Sequence, residues 1–159
     1  MVATERFEQT DRRETVYHGI LTNQYDAPEE IRMPRKKPLD RVREICLALP
    51  EATEKEAWGE PTFRVKDKIF AQYEDNHHGS GFTGLWCKAP DGLQEMLVSA
   101  EPGRYYVPKY VGHKGWIGIY MNDAVEWKFA AELLADSYRM TAPKRLLVQF
   151  EGSRSAPSA

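Results

Sequence analysis

The chain has very little cysteine, almost no net charge and no long apolar run, and each shortage removes a class of function. Its two cysteines, Cys46 and Cys87, lie far apart with no Cys-x-x-Cys spacing, which argues against a zinc knuckle or a dithiol redox motif. Both sit among apolar neighbours and read as buried thiols. A formal net charge of −2 and a pI near 6.1 argue against strong non-specific nucleic-acid binding, which draws on phosphate neutralisation, while leaving room for a local basic face. No segment has the length of a membrane span, and the N-terminus lacks the apolar core of a secretory signal, so a cytoplasmic protein is expected. Phosphate-cradling loops are missing too: Gly79-Ser80-Gly81 is short and leads into a strand, where such a cradle needs a helix N-terminus. Ser80 and Ser137 lack the context of a nucleophile elbow. With no catalytic motif found, a binding role and no enzymatic one is expected, without cofactor or metal.

What is present is one domain's worth of ordinary globular sequence. At 159 residues, 42% hydrophobic and 29% charged, it can bury a core without disulfides or metal. Residues 1–37 differ in kind, mixing charges with one short apolar stretch and ending in a proline-punctuated linker. They read as a loosely ordered extension, with Thr15 to Thr22 as a candidate edge strand and Met33 as a candidate alternative start. From Pro38 the apolar residues Leu39, Val42, Ile45, Cys46 and Leu49 fall at helical spacing, with Pro50 closing the run.

The organising stretch is Trp58 to Tyr73. Phe63 and Val65 alternate with Thr62 and Arg64, Lys66-Asp67-Lys68 turns the chain, and Ile69 to Tyr73 returns as a second strand. A short strand is expected at Thr53 to Ala57, a polar loop at Glu74 to Gly81, and a strand at Phe82 to Lys88. A helix follows through Leu93, Met96, Leu97 and Ala100, then a last strand from Trp116 to Met121. The final helix, capped by Asn122 or Asp123, runs to about Met140, and a flexible tail covers residues 148–159. Helices gathered on one face of an antiparallel sheet make an α+β two-layer domain, here over residues 38–147.

With those residues in view, the chain from about Pro38 to Leu146 resembles the MmcQ/YjbR family of small bacterial proteins. The matching residues are Ala48-Leu49-Pro50, Trp58-Gly59-x-Pro61-x-Phe63-Arg64-Val65, Lys68-x-Phe70-Ala71, the Leu85 to Pro90 run, Gly115-Trp116-Ile117 and Ser137-Tyr138. The resemblance implies a CyaY-like (frataxin-like) fold and DNA binding through a double-wing arrangement of strands. Kinship with frataxin-like proteins would also suggest iron. The acidic ridge that iron would need is missing, because the first helix carries Arg41 and Arg43 between Asp40 and Glu44, and Glu51, Glu54 and Glu56 are spaced by other residues.

The candidate binding surface joins Arg64, Lys66 and Lys68 on the hairpin to Lys88, Tyr105, Tyr106, Lys109, Tyr110, His113, Lys114 and Trp116. Cations place phosphates and aromatic faces stack bases or other planar groups. DNA is the first partner this implies, with an anionic or planar small molecule, or a protein at the sheet edge, as alternatives; the protein itself is expected to be a monomer or weak dimer. Trp86 and Trp127 read as core, whereas Trp58 and Trp116 each neighbour a glycine that opens access to a ligand. His77-His78 reads as part of a flexible polar loop without the spacing of a metal site, and His113 lacks a nucleophile or orienting carboxylate.

Overall fold

The computed structural model describes residues 35–155. The extension, its edge strand and the Met33 start therefore lie outside the described residues, apart from 35–37. The chain divides into two units, Met1–Lys36 and Lys37–Ala159, and every element below belongs to the second.

Helix α1 spans Pro38–Leu47, with proline in its first turn, Asp40 near its positive end, and Val42 and Cys46 buried. Strands β1 (Ala52–Ala57), β2 (Glu60–Val65), β3 (Lys68–Asp75) and β4 (Thr83–Lys88) follow as an antiparallel meander. Helix α2 (Leu93–Ala100), strands β5 (Tyr105–Tyr106) and β6 (Trp116–Tyr120), and helices α3 (Trp127–Arg139) and α4 (Lys144–Ser155) complete the order. The sheet runs β1-β2-β3-β4-β6-β5. Side chains from all four helices share one buried core with Phe63, Val65, Phe70, Ala71, Leu85, Cys87, Ile117 and Ile119, so the two-layer α+β expectation is met.

Two tight turns set the register of the first three strands. Trp58-Gly59 joins β1 to β2 and Lys66-Asp67 joins β2 to β3, each with both residues at positive φ (54°, 77° and 51°, 61°), the backbone that matches strand twist in a two-residue hairpin. Between those turns the ladder slips: Phe63 pairs with Ala71 but Arg64 pairs with Ile69, leaving Phe70 as the extra residue of a β-bulge. Phe70 turns into the core and meets Tyr138 of α3 edge-on, centroids 5.6 Å apart. Ser137, wholly buried beside it, donates to the Phe70 carbonyl (2.5 Å) and accepts from the Lys88 amide (2.8 Å). It thus supplies hydrogen bonds where β3 and β4 stop pairing, which is the work this serine does in the fold.

Three readings need correction. Asn122 and Asp123 do not cap α3: Asn122 instead accepts from the Ala124 amide in a turn, and Glu126 precedes the helix. Strand β3 extends to Asp75, so Glu74 is a buried strand residue rather than part of a loop. Residues 148–155 continue helix α4 where a tail was expected. Glycine and serines suggest a tail there, but Leu146 and Phe150, one turn apart, are buried in the core, Phe150 with its ring edge-on to Tyr138, and burying that pair outweighs weak helix propensity.

Candidate functional site

Strand alternation sends a second set of side chains to the face turned away from the described helices. Register places Thr62, Gln72, Trp86, Gly118 and Tyr106 in one row across β2, β3, β4, β6 and β5. Trp86 and Trp116 are both buried but stand apart from the helix-side core. Trp86 is buried as expected, on the other side of the sheet from the helix-side core, as β4 alternation requires.

Tyr106 fixes one end of this face. Its ring lies across two glycines: a Cβ at Gly118 would come within 2.4 Å of ring carbons, and one at Gly84 within 2.0 Å of the hydroxyl. The hydroxyl donates to the Glu74 carboxylate and accepts from Trp86 Nε1 at 2.9 Å. Burial, reinforced by the Glu74 carboxylate, holds that phenol protonated far above its ordinary range.

Over the row lie two adjoining cavities of about 430 and 420 Å³, each in the size range of small-molecule sites. Ile69, Gln72, Trp86 and Trp116 form the floor of the first, and Trp58 from the β1–β2 turn stands at its rim, 74% exposed. The second runs toward Tyr106, Tyr120, Phe82 and Lys109. His77, His78, Trp86 and Tyr110 line both, so the two make one groove parted by imidazole and phenol rings. His77 packs edge-on to Trp86 (5.8 Å), and its Nδ1 is 3.6 Å from Glu60 Oε1. The histidine segment, read as a polar loop, forms a short 3-10 turn at His77–Gly79 with both rings against the groove. Gln94 of α2 donates to the carbonyls of Gly112 (2.8 Å) and Trp116 (2.5 Å), which ties the segment between Tyr110 and Trp116 to that helix.

The sequence-derived site residues fall into separate groups. Tyr110 and Trp116 line the first cavity, Tyr106, Lys109 and Tyr110 the second, whereas Tyr105 turns to the core. Arg64 and Lys66 are engaged with Asp67 and Glu51, both at 3.4 Å. Lys68, Lys88, Lys109 and Lys114 make no ion pair with a described residue; burial and the nearby Lys68 lower the pKa of Lys88. His113 and Lys114 are exposed on a short 3-10 turn at Gly112–Lys114. Missed from the sequence were Ile69, Gln72, Glu74, His77, His78 and Val111. Gln72 had a signal, a lone amide inside the apolar run Ile69 to Tyr73; the histidines had none, because their ring positions depend on Trp86 and Tyr110. Both cysteines are buried, as read. No group of three metal-ligating side chains occurs among the described residues, nor, among them, a helix long and apolar enough to cross a membrane.

Comparison with known proteins bears on the fold and the family. The model of the YjbR family matches residues 47–140. A crystal structure of the Deinococcus radiodurans protein DR2400, which carries the family domain DUF419, is similar with a TM-score of 0.56 and 22% identity, over 64% of this chain and 76% of that one. No curated protein sequence matches the chain.

Proposed function

Because this chain belongs to the YjbR family, which matches more than half of it, we propose that it acts as a binding protein of that family and takes a planar ligand into the aromatic groove. The observation that carries this reading is a cavity of about 430 Å³ with three of the four tryptophans around it. Indole and phenol faces favour flat, apolar-faced partners, and a concave, mostly apolar site with few polar groups is the usual form of a ligand pocket. The polar groups deeper in the face, Glu74, Tyr106 and Trp86, bond to one another, which suits a rigid binding surface better than proton transfer. Thermal-shift screening with planar heterocycles, followed by calorimetry, tests it: a hit raises the melting temperature, and Tyr110→Ala weakens it about tenfold or more. A library of planar heterocycles that leaves the melting temperature unmoved rejects the reading.

DNA is a second reading, supported by Lys68, Lys88, Lys109 and Lys114, which make no ion pair with a described residue, beside aromatic groups able to stack bases. Anisotropy titration with labelled duplex and single-stranded DNA at two salt concentrations distinguishes it. Binding that weakens with salt and with Lys109→Ala/Lys114→Ala supports phosphate contact; no binding at low salt removes it.

A further inference from the structure

The floor of the first cavity holds a polar side chain that no described residue engages. Gln72 lies mid-strand on β3, 6% exposed, between Thr62 on β2 and Trp86 on β4. Both neighbours are engaged elsewhere: Thr62 Oγ1 donates to the Lys55 carbonyl and accepts from Arg64 Nε, and Trp86 Nε1 donates to Tyr106. The Gln72 side chain lines the cavity and makes no hydrogen bond to a described residue. No buried side-chain nitrogen or oxygen among the described residues lacks a partner, so the Gln72 amide opens onto the cavity, where a ligand can take the place of water on its carbonyl and amino groups. Among the described residues that line this cavity there is no aspartate, glutamate, lysine or arginine, and His77 and His78 stand among aromatic and apolar groups, so an uncharged ligand loses least hydration on entry.

Building on the groove reading above, we infer that the ligand is an uncharged planar heterocycle with an N–H beside a C=O, and that Gln72 reads this edge through two parallel hydrogen bonds. A primary amide presents one acceptor and one donor side by side, which is the complement of a lactam edge. Trp86 and Trp116 supply apolar contact around the ring system, and Trp58 stands at the opening. A free heterocycle and a base within a nucleic-acid strand share this chemistry.

Calorimetric titration of the full chain with carbostyril (the lactam of quinoline), N-methylcarbostyril and quinoline tests the edge directly. Carbostyril should bind saturably and about tenfold or more tighter than the two rings lacking the N–H beside C=O. Gln72→Met should keep quinoline binding and erase the preference. Equal affinity for carbostyril and N-methylcarbostyril in the native protein, or a preference surviving Gln72→Met, overturns the role of Gln72 while the groove reading stands. The native comparison decides the matter even if the variant does not fold. If none of the three rings binds, the groove reading fails and this inference with it. An oligothymidylate, whose bases carry the same edge, identifies a strand as the source if it displaces carbostyril; failure to displace it identifies a free heterocycle.

Discussion

Trp58 carries the sharpest conflict in the chain between local preference and observed structure. A bulky residue at positive φ is strained, and a two-residue hairpin turn of this kind prefers asparagine before glycine. Trp58→Asn should therefore raise stability by about 0.5–1 kcal/mol in urea denaturation while weakening binding of planar rings in calorimetry. A loss of stability would show that the exposed indole is held by contacts stronger than its strain. The opposite case is Gly118, where only the absence of a side chain lets Tyr106 lie on the sheet. Gly118→Ala should cost about 1–3 kcal/mol by overpacking, read as a lower denaturation midpoint. The access of Trp58 to a ligand was legible from the glycine beside it, but its place in a turn was not, and neither was the role of Gly118: alternation could place Gly118 on a face, but the ring above it comes from β5, a strand only two residues long. Gln72 stood closer to legibility, since a polar residue at a strand position flanked by Ala71 and Tyr73 must either face water or find a purpose.

At the scale of elements, the bulge in β3 and the serine that completes it act together. Ser137→Ala leaves a buried amide and a buried carbonyl without their partner, and a loss of about 1–3 kcal/mol is expected in chemical denaturation, with groove binding retained. Helix α4 depends on two buried anchors rather than on propensity. Phe150→Ala removes a ring that packs on Tyr138 (5.4 Å) and lies beneath Arg139 and Arg154, and a cost of about 3 kcal/mol should follow. Strands β1 to β4 and helices α1 to α3 were legible because their periodicity and turn residues lie within the segment itself. Helix α4 was not, because its reason for being helical lies on α3.

For the molecule as a whole, the buried acids set a limit at high pH. Burial pushes the Cys87 thiol from 9.0 up to about 12 and the Tyr73 phenol from 10.0 up to about 12, and raises Cys46 as well. In the unfolded chain these groups lose protons at their ordinary values, so the folded state holds more protons in between and stability falls as pH rises. The stabilisation is intact below about pH 9 and is lost toward pH 12, each unit of separation being worth about 1.4 kcal/mol. Urea midpoints measured from pH 8 upward should decline across that window, and a flat profile would mean that the thiols and phenol ionise without unfolding.

The distribution of tryptophans over the two faces of the sheet has an optical consequence. Trp58, Trp86 and Trp116 surround one cavity, whereas Trp127 lies on the helical side with the Arg41 guanidinium 5.1 Å from its ring centroid. Excitation at the red edge of the indole band should favour the solvent-relaxed emission of Trp58, and the bluer emission should come from Trp86 and Trp116. An arriving ring would dim these three and spare Trp127, so the molecule carries both a reporter of its own occupancy and an internal reference against which to read it.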